Sequence, residues 1–156
     1  MSIVGTLLAP LAAAAMGFAS ALLPFVNAEA YAVVAARTAP ALVVAGALAG
    51  GQTAGKLVLF EAARRGTDRW EADEESSRRA RWTARVRPWL RSPRTGAPLV
   101  LVSAVVGLPP LAVVALVAGA SGQRRWLFAV LVLVGRGLRF AAIVVPVAHL
   151  TGQPGR

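Results

Sequence analysis

Four long apolar blocks limit the folds open to this chain. They cover residues 3–36, 39–60, 97–122 and 126–150. Each is at least as long as the about 20 residues with which an α-helix crosses about 30 Å of hydrocarbon. None shows the alternation of apolar and polar residues that is typical of barrel strands. The pattern therefore predicts an all-α polytopic membrane protein.

The composition is consistent with one membrane domain and excludes several kinds of site. A chain of 156 residues has room for one domain, because a second would need a core of its own. Its hydrophobic fraction of 56% fits a membrane protein. Cysteine is absent, which excludes disulfides, thiolate ligands and cysteine nucleophiles. The lone histidine, His149, cannot build a histidine metal site. We expect no metal, no cofactor and, since no catalytic motif is present, no enzyme activity.

The basic residues point to a bacterial source, because they are almost all arginine, which is typical of GC-rich genomes. We therefore expect a multi-pass protein of the bacterial plasma (inner) membrane. Residues 28–30 have the small-x-small form that signal peptidase recognises. However, no Lys or Arg precedes the first block, and that block exceeds the roughly 7–15 apolar residues of a signal peptide. Cleavage is not expected.

Prolines interrupt the first and third blocks. The first is broken at residues 24–27, which begin with Pro24, and the third at Pro109-Pro110. A proline removes a backbone hydrogen bond and disfavours helix just before it. The arms of the third block are about a dozen residues each, or roughly 18 Å as helix, which is too short to cross the hydrocarbon. We predict a re-entrant helical hairpin at each break, with a Pro-kinked spanning helix as the alternative.

Charge places the polar segment between the second and third blocks. Residues 64–94 contain ten arginines and five acids, which the positive-inside rule assigns to the cytoplasm. If residues 97–122 crossed the membrane, Arg124 and Arg125 would lie outside, against that rule. A hairpin keeps both inside. The charge pattern therefore favours the hairpin.

The order of elements repeats along the chain. A broken block and an intact block occupy residues 3–62 and again residues 97–150, joined by the cytoplasmic segment 64–94. A hairpin plus one crossing is an odd number of crossings, so the second unit must be inverted relative to the first. We therefore predict two inverted repeats whose hairpins enter from opposite faces and meet near the midplane.

The cytoplasmic segment is predicted to form an amphipathic helix at the membrane interface. It has i,i+4 pairs of acid and arginine, and apolar residues on one helical face. These residues are Glu74/Arg78, Glu75/Arg79, Trp82, Val86 and Trp89.

Charged side chains inside the apolar blocks are the candidate site. Glu29, Arg136 and Arg139 lie at depths where an ionisable group is costly unless it faces protein or water, and Lys56 follows Gln52 by one helical turn. Three cations and one carboxylate suit an anionic headgroup or phosphate. Two alternatives stay open: Glu29 could pair with an arginine to lock a hairpin, and Lys56 could extend to the interface.

Glycines on the second block permit close helix packing. Gly46 and Gly50, and Gly51 and Gly55, are spaced four residues apart. Such spacing allows contact within the monomer or between protomers of a homo-oligomer. We expect the internal contact, because a hairpin arm needs a flat partner surface.

Several short runs resemble one membrane protein family. The runs are Ala21-Leu22-Leu23-Pro24-Phe25-Val26-Asn27-Ala28-Glu29, Gly51-Gln52-Thr53-Ala54-Gly55, Trp89-Leu90 and Gly135-Arg136-Gly137-Leu138-Arg139-Phe140. In order and spacing they resemble the DedA/VTT (SNARE-associated Golgi protein) superfamily, most closely its small YqaA-type bacterial members. The resemblance covers about residues 17–147.

That resemblance implies opposed re-entrant hairpins and the movement of a lipid or polyprenyl phosphate across the membrane. By motif, Glu29 takes the place of the hairpin acid, with Asn27 in the same run, and Gln52 that of an amide or acid after glycine. Arg136 and Arg139 take the places of the basic pair in the last helix. The chain departs from the family at Pro109-Pro110, where it has no charge.

Function at this stage has two candidates. The first is a lipid or polyprenyl-phosphate transporter or scramblase, whose partners are membrane lipids with an anionic headgroup or phosphate. The second is a non-transporting, membrane-organising protein with structural hairpins. Nucleic-acid binding is not expected, because the charge of +10 is concentrated beside an apolar block and no recognition motif is present.

Overall fold

The described part of the chain is entirely helical outside its turns. A computed structural model describes residues 3–23, 26–37, 39–66 and 77–150. Within these ranges there are seven α-helices and no strand: α1 (Ile3–Leu22), α2 (Ala28–Ala35), α3 (Ala41–Arg65), α4 (Ser77–Arg91), α5 (Pro93–Val106), α6 (Leu111–Ala120) and α7 (Arg125–Leu150). The predicted all-α class is confirmed.

Two of these helices, α3 and α7, are long and apolar enough to cross a membrane. They have 25 and 26 residues, which corresponds to more than 30 Å at about 1.5 Å per residue. They coincide with the two blocks that lack an early proline break. Pro146 lies in the last turns of α7, where few helical hydrogen bonds remain to be lost.

The third apolar block is broken into α5 and α6. Helix α5 ends at Gly107, whose φ of 87° is left-handed and costs glycine little. Pro109 follows a cis peptide bond, and Pro110 is the N-cap of α6. The Ser103 hydroxyl on α5 donates a hydrogen bond to the Pro109 carbonyl oxygen, which fixes the turn to the helix before it.

The two outer ends of this block lie side by side. The Gln123 side-chain amide, just after α6, donates to the Leu90 carbonyl oxygen at 3.4 Å. A Cβ added to Gly96, in the first turn of α5, would collide with the same Gln123 amide. Because Gln123, after α6, lies beside Leu90 and Gly96, before and at the start of α5, residues 97–122 form a helical hairpin and not one kinked helix.

The first apolar block is likewise broken into two helices, α1 and α2. Residues 24–25, and with them Pro24, lie outside the described residues. Asn27 is the N-cap of α2, and its extended backbone ends the turn. α1 and α2 pack against each other.

The chain forms two compact units, which do not coincide with the predicted repeats. The first unit is Met1–Gly55 with Arg136–Arg156, and the second is Lys56–Gly135. Helix α3 runs from the first unit into the second, and α7 runs from the second into the first. Each unit therefore contains one broken block and one end of each long helix.

Small residues allow tight packing in the first unit. Its core has six alanines, together with Val44, Leu48, Phe140 and Val144. A Cβ on Gly51 would collide with the Ala14 carbonyl oxygen of α1, and one on Gly55 with the Ala21 methyl group. The predicted internal contact is confirmed for Gly51 and Gly55. A Cβ on Gly46 or Gly50 would meet nothing within 4 Å.

The second unit is built around α6. Eight of its residues are buried, namely Leu111 and Val113 to Gly119. Phe60 of α3 stacks on Phe128 of α7 with ring centroids 4.8 Å apart. A helix that is apolar all round needs such complete cover.

Helix α4 is packed into the second unit by two of its apolar residues. Val86 and Leu90 are buried in the same cluster as α6, whereas Trp89 is 58% exposed. The periodicity predicted that Val86 and Trp89 lie on one face in the same environment. In the structure Val86 is buried and Trp89 is exposed, so this prediction was wrong. The reason is that Leu90, one turn after Val86, completes the stripe that packs inward. The side chains of Trp82 and of the pairs Glu74/Arg78 and Glu75/Arg79 lie outside the described part of the chain.

Candidate functional site

An ion pair joins α2 and α7 in the first unit. Arg139 Nε donates to Glu29 Oε1 at 2.8 Å, and Arg139 Nη2 donates to the same oxygen. The Glu29 side chain is 44% exposed and that of Arg139 26%. The structure thus brings together two of the predicted site residues, which are 110 positions apart in sequence.

Asn27 holds the carboxylate in place by forming the start of α2. Its Oδ1 accepts the backbone N–H of Glu29 at 2.9 Å and that of Ala30 at 3.1 Å. Such caps satisfy helical N–H groups that have no intrahelical partner, and an acid in the first turn interacts favourably with the helix dipole. Asn27 was predicted as a ligand residue; its Oδ1 caps α2 in the structure, and the ligand role stays a prediction.

Arg136 lies one helical turn before Arg139 on α7. The two arginines are three residues apart and so lie on neighbouring positions of one helical face. Arg136 Nε is buried and has no hydrogen-bond partner among the described residues. We name three residues the Glu29 cluster: Glu29, Arg136 and Arg139. The cluster contains two cations and one carboxylate. Its net charge of +1 suits an anion.

Gln52 is also buried in the first unit, at 7% exposure, but its amide bonds to α1. Its Nε2 donates to the Ser20 hydroxyl at 2.8 Å, and that hydroxyl donates to the Gly17 carbonyl oxygen at 2.8 Å. Its Oε1 is buried without a partner in the described part of the chain. Ser20 was not predicted, although a hydroxyl one turn after a glycine in an apolar block is a signal for interhelical bonding.

Lys56 belongs to the second unit and is 6% exposed. Its side chain is covered by protein. This differs from the alternative in which Lys56 extends to the membrane interface. Pro109 and Pro110 form the turn between α5 and α6, and the sequence of this turn contains no charged residue. His149 is exposed near the end of α7.

A second charged site lies where α3 ends and α7 begins. Its lining side chains surround an open groove of about 500 Å³ and are Glu61, Arg64, Arg124, Arg125 and Trp126. We call it the arginine groove. Glu61 Oε1 accepts Arg65 Nε at 3.1 Å, an i,i+4 pair along α3. Sequence analysis predicted that Arg124 and Arg125 lie on the cytoplasmic face of the membrane. It did not predict that they line one groove with Arg64.

Comparison with protein-family models, curated proteins and solved structures gives no match. The resemblance to the DedA/VTT superfamily accordingly stays a prediction.

Proposed function

We propose that this chain is a multi-pass protein of the bacterial plasma membrane that translocates or scrambles an anionic lipid, such as a phospholipid or polyprenyl phosphate. The Glu29 cluster is its transport site. This is the activity that the resemblance to DedA/VTT proteins implies.

Placement in a membrane is supported by the apolar surface. The most apolar part of α7 has a mean hydropathy of 2.1, yet only 28% of it is buried. A core helix of a soluble protein with such a composition would be largely covered. Large side chains such as Leu42, 70% exposed, and Leu138, 59% exposed, are mostly left uncovered by the described part of the chain. Soluble monomers rarely expose extensive apolar surface, whereas lipid tails solvate it well.

A re-entrant hairpin in the third block is supported by its helix lengths. α5 and α6 have 14 and 10 residues, or about 21 and 15 Å at 1.5 Å per residue, less than the about 30 Å of hydrocarbon. Their outer ends meet, so the pair can enter and leave by one face. Along the chain, a broken block and an intact long helix occur twice in the same order, which is the order of elements that two inverted repeats would have.

The transport site is supported above all by the buried, unpartnered Nε of Arg136. A phosphate could accept hydrogen bonds from Arg136 and compete with Glu29 for Arg139, since the arginine guanidinium forms bidentate pairs with both phosphate and carboxylate. Glu29 would then be an internal anion that closes the site when the lipid leaves. Exchange between an internal and a mobile anion avoids leaving a buried guanidinium unpaired.

Reconstitution in liposomes tests this function. Wild-type protein should move a fluorescent anionic lipid between leaflets, and Arg139→Ala or Glu29→Gln should abolish that movement in folded, membrane-inserted protein. Arg85→Gln, which removes an exposed arginine on α4, is the matched control and should keep wild-type transport. Full transport by a stable Arg139→Ala protein would refute the site.

A non-transporting, membrane-organising role is the second candidate, and the Glu29–Arg139 pair is the observation that favours it. If the pair only locks α2 onto α7, each single substitution should destabilise the protein. Exchanging the two charges, by Glu29→Arg with Arg139→Glu, should then restore stability. Restored stability together with absent transport in every variant would favour this candidate.

A further inference from the structure

The arginine groove has the charge of an anion site. Arg64, Arg124 and Arg125 contribute +3 and Glu61 contributes −1, so the lining charge is +2. Glu61 Oε1 is paired with Arg65, whereas Glu61 Oε2 is buried and has no hydrogen-bond partner in the described part of the chain, so the three arginines of the groove must outweigh this carboxylate. Guanidinium groups bind phosphate oxygens through two parallel hydrogen bonds. The first turn of α7 adds backbone N–H groups that have no intrahelical acceptor.

The groove lies at the ends of the two long apolar helices, which is where lipid headgroups would be if these helices span the membrane as proposed. Arg64 is in the last turn of α3 and Arg125 begins α7, the two helices long enough to span a membrane. Trp126 is 61% exposed at the start of α7. Tryptophan is enriched at the level of the headgroups, where its ring is half in hydrocarbon and its N–H in the polar layer.

An apolar stripe leads from the groove along α7. Val130, Leu133 and Val134 follow Trp126 by four, seven and eight residues, so they lie on the same face of the helix. They are 48%, 45% and 49% exposed. A small soluble anion would not contact this stripe, whereas the acyl chain of a lipid would cover it.

We propose that the arginine groove and this stripe bind one anionic phospholipid, with the phosphate among the three arginines and an acyl chain along α7. The site is separate from the Glu29 cluster and requires only that the protein lies in a membrane, not that it transports lipid. The bound lipid joins the end of α3 to the start of α7 and neutralises like charges that would otherwise repel.

Lipid binding to the purified full chain in detergent tests the site. Phosphatidylglycerol should raise the unfolding temperature of the wild type, whereas phosphatidylcholine and inorganic phosphate should not at equal concentration. Arg64→Gln and Arg124→Gln should each weaken the phosphatidylglycerol effect about tenfold, the loss of one charge-assisted hydrogen-bonding group. Arg37→Gln, an exposed arginine after α2, is the control and should leave it unchanged.

Two further variants keep the test decisive if a groove variant folds poorly. Arg124→Lys keeps the charge and should retain part of the effect. Val130→Gln leaves the arginines intact and should weaken binding of phosphatidylglycerol. Equal stabilisation by inorganic phosphate would overturn the lipid assignment in favour of a soluble anion. Undiminished phosphatidylglycerol binding in both Arg64→Gln and Arg124→Gln would overturn the site itself. Neither result bears on transport through Glu29 and Arg139.

Discussion

Arg136 shows how a residue with an apparent cost can indicate function. A guanidinium atom that is buried without a partner is destabilising, and such groups are usually removed unless they have a role. Arg139, one turn away, has a carboxylate partner, so the environment of α7 does supply partners for arginine. Arg136 lacks one for its Nε among the described residues, and a ligand would provide it.

Replacing Arg136 by methionine should separate stability from transport. Arg136→Met keeps much of the side-chain volume and removes a buried donor that has no partner among the described residues, so we expect stability to be unchanged or raised by about 1–3 kcal/mol. Lipid movement in liposomes should be lost. Thermal unfolding in detergent and a transport assay would be measured on the same preparation. Arg85→Met, on the exposed side of α4, should alter neither, and a strong destabilisation by Arg136→Met would contradict this view of the residue.

The bond between Gln52 and Ser20 should contribute measurably to stability. Ser20→Ala leaves the buried Gln52 amide without its acceptor, and we expect a loss of about 1 kcal/mol in unfolding free energy. Gln52→Leu should cost less, because both polar groups of the amide are removed together. A double-mutant cycle in detergent isolates the bond. A coupling energy of zero would mean that the bond adds nothing to helix packing.

At this scale, sequence analysis identified residue types better than partners. Ionisable groups within apolar blocks are expensive, so Glu29, Arg136 and Arg139 stand out without a structure. Which arginine meets Glu29 depends on the rotation of α7 against α2, which no local pattern contains. The burial of Lys56 and the meeting of Arg64 with Arg125 also arise only from packing.

Packed glycines determine how closely the helices approach one another. Gly51 and Gly55 bring α3 onto α1, Gly119 of α6 lies against the Phe60 backbone of α3, and Gly135 of α7 lies against Ala104 of α5. In lipid there is little hydrophobic drive between helices, so close packing at small residues stabilises their association.

Neighbouring glycines on α3 provide a matched test of this packing. In Gly51→Ala the new methyl group would collide with the Ala14 carbonyl oxygen, and we expect a loss of about 1–3 kcal/mol in unfolding free energy. Gly50→Ala adds a methyl group in open space and improves helix propensity, so we expect a gain of about 0.5–1 kcal/mol. Thermal unfolding in detergent would show the opposite signs. Equal unfolding temperatures for the two variants would argue against close contact of α1 with α3.

The helices themselves were largely predictable, because length, apolarity and proline are local properties. The breaks in the first and third blocks and the two intact helices follow from them. The inward packing of α4 was not predicted. Its periodicity allows either Trp89 or Leu90 to accompany Val86, and only the surface offered by α6 decides between them.

At the scale of the whole molecule, the position of chain segments relative to the membrane is the open prediction. The arginine groove places the end of α3 beside the start of α7, and Gln123 bonds to Leu90 after α4. The second unit therefore gathers at one end the segments that the positive-inside rule assigns to the cytoplasm.

Cysteine labelling can test this topology, since the natural chain has no cysteine. Arg85→Cys and Arg124→Cys should react with an impermeant thiol reagent from the same face of the membrane. Arg37→Cys, after α2, should react from the other face, because α3 separates it from Arg64. Labelling of Arg85→Cys and Arg124→Cys from opposite faces would contradict the re-entrant hairpin and the inverted repeats.

Helix α6 has a consequence for how the protein is made. Ten residues do not span a bilayer, and eight of them are buried against protein. In the membrane placement proposed above, we therefore expect α6 to need the cover of its neighbours before it is exposed to lipid. Biogenesis would then keep α5 and α6 together in a sheltered environment until α7 has been synthesised, which would couple insertion of the second half to its tertiary folding.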